Sequence, residues 1–173
     1  NTGIGINTGE AAALTACTTR SNGNDNIHVG SNATVTKCTA ISSSGGHGIY
    51  SFGFAVISQC TANFNNQHGI NAVQRCRVEA CTASGNSQSG IHITVVGAAE
   101  RNVCDSNAFC GILADAGGMV DILNNICSEN GGNNAGAGIR VNGGGGYRIE
   151  GNNLVLNFRG IDVLSGGNVI VRN

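Results

Sequence analysis

Apolar residues recur along this chain at a spacing that neither an α-helix nor a β-hairpin produces. Ile6, Ile27, Ile49, Ile70, Ile91, Ile112, Ile139 and Ile161 are separated by 21, 22, 21, 21, 21, 27 and 22 residues. A second column, Leu14, Val35, Ile57, Val78, Ala99, Ile122, Ile149 and Ile170, keeps the same rhythm. Three residues beyond its members stand Cys17, Cys38, Cys60, Cys81, Asn102, Asn125, Asn152 and Asn173. Two residues further on, Thr19, Ala40, Ala62, Ala83, Cys104, Cys127 and Leu154 form a fourth column. Between columns the chain alternates over short stretches, as in GIHI (90–93), GIRV (138–141) and GIDV (160–163), which marks strands with one side in and one side out. These runs are too short for helices, and the Gly and Asn between them suit tight and left-handed bends. A repeat of this length is one coil that buries its apolar side only by stacking on the next. The pattern therefore predicts an all-β solenoid of about eight coils, roughly 21–22 residues each, stacked at about 4.8 Å. The 27-residue step is one coil carrying the insertion GGNNAGAG (131–138).

The motif of an apolar residue, two variable residues, Asn and then a Gly-Ile strand resembles the right-handed parallel β-helix of the pectate-lyase-like superfamily, along the whole chain. That resemblance implies a single parallel β-helix domain over 1–173. It also implies an inward asparagine at one bend, stacked on its equivalents and bonding the turn backbone. Asn102, Asn125, Asn152 and Asn173 match that position, whereas Cys17, Cys38, Cys60 and Cys81 depart from it. The superfamily holds polysaccharide lyases, hydrolases, epimerases, phage tailspikes and surface proteins, so the resemblance specifies fold rather than activity.

Composition removes several classes of function. A net charge of -1 with 11% charged residues gives no electrostatic basis for nucleic-acid binding. No run approaches the roughly 18 consecutive apolar residues of a membrane helix, so membrane insertion is not expected. Equivalent cysteines on neighbouring coils would have parallel Cα–Cβ bonds about 4.8 Å apart, against roughly 3.5–4.5 Å between Cβ atoms in a disulfide. The eight cysteines are therefore expected as free thiols that pack as small hydrophobes. A line of inward thiols makes no tetrahedron, so no metal is expected, and no cofactor is indicated. Cys76 and Cys110 fall in neither cysteine column.

Function is then sought on the outward positions. The residue after each recurrent Ile gives one row, Asn7, His28, Tyr50, Asn71, His92, Leu113, Arg140 and Asp162. The residues just before each Gly-Ile give another, read as Asn26, His47, His68, Ser89, Cys110, Ala137 and Arg159. Together they bring His47, Tyr50, His68, Asn71 and His92 onto one face of three neighbouring coils, a candidate substrate-binding band for sugar hydroxyls. No catalytic residue is assigned: the band lacks the paired carboxylates of a glycosidase and the Asp cluster of a calcium site. Glu79 and Glu100, joined by Glu150 further along, read as a solvated face on which Arg75, Arg77 and Arg101 neutralise the first two. Thr18, Thr39, Thr61 and Thr82 form a row without the second regular row that ice binding requires. TGIGINTG (2–9) and GGGG (143–146) lack the helix and lysine of a phosphate loop and read as turns.

The expectation is a noncatalytic β-helical scaffold or glycan-recognition domain of an extracellular, cell-surface or phage-tail protein. The alternative is a polysaccharide lyase, hydrolase or epimerase acting on the face of His47, His68 and His92. The expected partner is a polysaccharide or glycan. Because no polar cap is visible at either end, end-to-end or lateral self-association, or flanking domains of a longer chain, is expected as well.

Overall fold

Short strands separated by sharp corners build three parallel sheets in the computed structural model, which describes residues 1–173 apart from Ala116 and Asn133. Sheet A contains Ile6–Asn7, Ile27–Val29, Ile49–Ser51, Ile70–Ala72, Ile91–Ile93, Ile112–Ala114, Ile139–Val141 and Ile161–Val163, stacked in that order. These strands define coils 1 to 8. Sheet B runs from Ala13–Thr15 to Val169–Val171 in eight strands, and sheet C from Thr18–Arg20 to Asn153–Val155 in seven. Every pairing is parallel and joins equivalent positions of adjacent coils, for example Ile70 with Ile91 and Val78 with Ala99. The sequence columns are thus the hydrogen-bonded ladders themselves. The insertion at 131–138 includes Asn133 and to that extent lies outside the described residues.

The interior is filled from all three sides. Ile27, Ile49, Ile70, Ile91, Ile112 and Ile139 of sheet A are fully buried, as are Val35, Ile57, Val78, Ala99, Ile122 and Ile149 of sheet B. Ala40, Ala62, Ala83, Cys104 and Cys127 of sheet C close the third side. Size is matched within a coil: Gly97 faces Ile93, and a Cβ on Gly97 would sit 3.2 Å from Cγ2 of that isoleucine and 2.5 Å from the Cys76 carbonyl.

Two asparagine ladders line the bends, where sequence reading found one. Asn102 donates Nδ2 to the Val78 carbonyl (3.0 Å) and to Asn125 Oδ1 (3.0 Å), and Asn125 and Asn152 continue the pattern to Asn173. The second ladder, Asn65, Asn86, Asn107, Asn130 and Asn157, lies between sheets C and A. It also explains the glycine of the Gly-Ile motif. A Cβ on Gly48, Gly69, Gly90, Gly111 or Gly138 would stand 2.6–2.9 Å from the Nδ2 of the ladder asparagine on the next coil. Coil 2 obeys the same rule by a paired exchange. Asn26 occupies the glycine position, the ladder residue next to it is the smaller Ser43, and Asn26 Nδ2 reaches past it to Asn65 Oδ1 (2.9 Å).

All eight cysteines are free, and seven are buried, Cys17 being the half-buried exception. Where asparagine is absent the thiol takes its place: the Cys38 and Cys60 amides donate to the Sγ of Cys60 and Cys81 (3.4 Å each), and the Cys81 amide then donates to Asn102 Oδ1 (2.9 Å). Each sulfur in turn donates to the carbonyl two residues back, 3.2 Å for both Cys60 and Cys81. Cys76 does have a column, Ala33, Ala55, Cys76, Gly97, Val120 and Tyr147, facing inward at the start of sheet B. Cys110 packs with Leu113 and Ala137 on the outer side of sheet A. Burial pushes the Cys38 and Cys110 thiols up to about 11. A thiol reagent is therefore expected to modify Cys17 quickly in the native protein and the other seven only after unfolding; rapid native-state reaction of most thiols would contradict this packing.

The bends depart from expectation in one respect. Left-handed conformations recur once per coil before the first ladder, at Ala16, Lys37, Gln59, Ala80, Arg101, Asn124, Gly151 and Arg172, so most are not Gly or Asn. The cost of about 1–2 kcal/mol for each such non-glycine residue is offset by inter-coil hydrogen bonds, such as the Lys37 amide to the Ser58 carbonyl at 3.0 Å.

Candidate functional site

The outward side of sheet A carries four aromatic or imidazole rings on three successive coils, and a fifth on the coil beyond. His28 and Tyr50, paired in register on coils 2 and 3, stack at 4.7 Å between ring centres. Tyr50 stacks on His47 (5.6 Å), His47 on His68 (5.4 Å), and His68 lies against His92 (4.5 Å). Phe52, half exposed, meets His28 and Tyr50 edge-on. The five residues read from the sequence, His47, Tyr50, His68, Asn71 and His92, therefore form one contiguous strip, with the Asn71 amide 3.2 Å from His47 Nε2.

One of the two rows requires correction. The residue before the Gly-Ile glycine on coil 2 is Asp25, not Asn26, because Asn26 itself occupies the glycine position. The row is also not a surface row throughout: Asn26, Ser89, Cys110 and Ala137 are fully buried, and His68 is 8% exposed. Stacking at one coil spacing makes each member cover the next. Backbone amides tie the row together, since the His47 amide donates to Asp25 Oδ1 (2.8 Å), the His68 amide to His47 Nδ1 (3.3 Å) and the Ser89 amide to His68 Nδ1 (3.1 Å). An Nδ1 that accepts an N–H leaves the ring proton on Nε2, so both imidazoles are held in one neutral tautomer.

Their acidities agree. Burial, reinforced by the neighbouring His92 and His47, pushes His68 down to about 3. Burial likewise lowers His47, with Asp25 opposing and His92 and His28 adding to the shift. Tyr50 is raised by burial and by the Asp25 carboxylate.

Carboxylates close the strip at both ends. Asp25 Oδ2 lies 3.0 Å from His28 Nδ1, and Asp115 Oδ2 lies 2.7 Å from His92 Nε2 while its Oδ1 accepts from Asn142 (2.8 Å). Beyond Phe52 a cleft of about 370 Å³ opens, lined by Asn7, Thr8, Gly9, Glu10, His28, Gly30, Ser31 and Phe52. On the other side Leu113 and Phe109 form an apolar plug with Arg140 over the Phe109 ring, and Arg140 and Arg159 both bind Asp162. Asp162 is thereby held below the ordinary carboxylate range.

Sequence reading missed Asp25, His28, Phe52 and Asp115 as members. His28 stood in the same row as Tyr50, and that register was signal enough to include it. Asp115 follows its strand at a turn position, where no column marks it. Four buried side-chain polar atoms have no protein partner among the described residues, Thr8 Oγ1, Asn71 Oδ1, Ser89 Oγ and His92 Nδ1, and all four belong to sheet A or the residues flanking it. Rotating the Asn71 amide by a half turn would let its oxygen accept from His47 Nε2. No three His, Cys, Asp or Glu side chains converge on one ion position among the described residues.

The solenoid with its three parallel sheets is that of a right-handed β-helix. Residues 2–173 match the family model described as the right handed beta helix region, and the chain belongs to that family. Two solved structures share the fold: the periplasmic alginate epimerase AlgG, with 14% identity and a TM-score of 0.84, and the Azotobacter vinelandii mannuronan C-5 epimerase AlgE4 A-module, with 12% identity and a TM-score of 0.72. Each alignment covers 98% of this chain, but only 47% of the first and 61% of the second, so the chain spans roughly half of these neighbours. No curated protein matches it in sequence.

Proposed function

We propose that this chain is a glycan-recognition β-helix working in an extracellular or cell-surface setting, with the sheet A strip as its sugar-binding face and without turnover of its ligand. The observation that carries this reading is the continuous run of rings His28, Tyr50, His47, His68 and His92, edged by Phe52. The stacked rings turn their edges outward, so the Tyr50 hydroxyl and imidazole N–H groups bond sugar hydroxyls while the exposed Phe52 ring offers an apolar surface beside them. Hydrolysis is poorly served by this geometry: Asp25 and Asp115 lie four coils apart, roughly 19 Å at the strand spacing, against about 5–9.5 Å between glycosidase carboxylates. The polysaccharide-acting neighbours, one of them described as periplasmic, support the ligand class and the setting.

A second reading is favoured by one contact. His92 donates Nε2 to Asp115 at 2.7 Å, which leaves a buried, unpartnered Nδ1 lone pair as the general base for proton abstraction in an epimerase or lyase once substrate binding uncovers it. Binding and turnover on a polysaccharide panel separate the two. Recognition predicts saturable binding, weakened about tenfold or more by Tyr50→Ala, with no change in the polymer. Epimerised or unsaturated products that vanish in His92→Gln would overturn the noncatalytic reading.

A further inference from the structure

Charge on this face narrows the ligand. The chain has nine Lys and Arg residues. Only Arg140 and Arg159 stand on the sheet A side, and both are committed to Asp162: Arg140 through Nε at 2.9 Å and Nη2 at 2.5 Å, Arg159 through Nη1 at 3.0 Å. Arg75, at the adjacent corner, lies over the Phe54 ring. Arg77 and Arg101 are paired with Glu79 and Glu100 on the sheet B side, and Arg148 with Glu150. The remaining cations, Arg20, Lys37 and Arg172, belong to sheet C or to the corner between sheets B and C.

Among the described residues the strip itself therefore offers an incoming anion no free cation. It offers carboxylates instead: Asp25 and Asp115, each already against an imidazole, and the exposed Glu10 in the cleft beside Phe52. A protonated partner histidine would bring either pair to zero net charge and no further. The two central imidazoles, His47 and His68, are neutral by tautomer as described above. What remains is a row of uncharged groups, the Tyr50 hydroxyl, the Nε2 atoms of His28 and His68, and the Asn71 amide shared with His47 Nε2 at 3.2 Å, along the outward edges of the stacked rings. Sugar hydroxyls both donate and accept and need no counter-charge, whereas a uronate carboxylate brought here would be desolvated against like charge.

The spacing adds a direction. At least one ring or polar group is presented on every coil from His28 to His92, two on the coils of Tyr50 and Asn71, and the coil repeat of about 4.8 Å is of the same order as the length of one hexopyranose unit. We propose that the strip takes an uncharged glycan laid along the solenoid axis, one sugar unit per coil from His28 to His92, and that it excludes polyuronates. This rests on the reading of the strip as a glycan-binding face, and it separates the chain in ligand class from the alginate epimerases whose fold it shares.

The test is calorimetric binding of the full chain to linear hexasaccharides of glucose, mannose, galactose and N-acetylglucosamine, and to hexamannuronate and hexagalacturonate, at low and at physiological salt. The expected result is saturable binding of at least one neutral hexasaccharide with little salt dependence, and binding of both polyuronates weaker by roughly tenfold or more. Asp25→Asn combined with Asp115→Asn, checked for folding by its thermal melt, is expected to narrow that gap by raising polyuronate affinity. Tighter binding of a polyuronate that weakens with salt would overturn the charge inference and leave the glycan reading standing. Failure of both classes to bind folded protein would overturn the glycan reading itself, and the inference with it.

Discussion

Asn107→Ala is expected to lower folding stability by about 3–5 kcal/mol, a larger loss than that of any thiol in the solenoid. The side chain donates Nδ2 to the Ala83 carbonyl and to Asn130 Oδ1 (2.9 Å each), and its Oδ1 accepts from the Asn86 amide (3.1 Å) and from Asn86 Nδ2 (3.0 Å). Truncation leaves the Asn86 amide without its acceptor inside a fully buried bend, at about 1–3 kcal/mol, takes the side-chain donor from the Ala83 carbonyl and the ladder acceptor from Asn86 Nδ2, and opens a cavity as well. At about 2–4 °C per kcal/mol for a chain of this size, the melting temperature should fall by roughly 10 °C. Cys60→Ala is the control. It removes one weak N–H···S bond at 3.4 Å and one S–H donor shared between the Ser58 and Val35 carbonyls, and should cost about 1–2 kcal/mol. If chemical denaturation gave equal losses for the two variants, the ladder account would be wrong.

The second large effect is on acid stability. Above about pH 6.5 His68 is neutral in both folded and unfolded chains and contributes no pH dependence. Below that value the unfolded chain takes up a proton that the folded chain refuses until about pH 3, so stability falls as pH falls, by about 1.4 kcal/mol per unit. Between pH 6.5 and 4.5 this amounts to about 3 kcal/mol from His68, and His47, shifted the same way, adds to it. His68→Asn keeps an acceptor for the Ser89 amide and removes the titrating ring. Denaturant melts of the two proteins across this range should converge as the pH drops, because the variant lacks the His68 penalty. Parallel pH profiles would show that His68 is not held neutral by the fold.

Much of the architecture was readable because stacking turns a column of letters into a physical ladder. The recurrent isoleucines, the sheet B column and the small residues of sheet C are in-register strand partners in the folded chain. The second asparagine ladder was equally periodic but escaped notice, since phrases such as ANFNN (62–66) hold several asparagines and only the fold shows which one turns inward. Asp25 was hidden by the exchange of Asn26 for glycine, a substitution that makes sense only beside the smaller Ser43. Tyr147 carried no strong cue either: it is fully buried, with its single hydroxyl proton shared between the Asp115 and Gly143 carbonyls. Outward positions were legible as a face, but burial within that face was not, because it depends on ring stacking between coils. The solvated character of the charged face held in part. Arg77 and Arg101 bridge Glu79 and Glu100 as expected, while Arg75 turns to Phe54 instead.

The central claim is that sugar meets the protein on the outer side of sheet A. It is tested most directly by following the four histidine side-chain resonances by NMR while titrating in cellohexaose or mannohexaose, whichever binds. The account predicts that His28, His47, His68 and His92 are perturbed together with the Tyr50 ring, and that the amides around Glu79 and Glu100 on sheet B stay in place. Perturbation confined to sheet B or sheet C, with all four imidazoles unchanged at saturation, would contradict it.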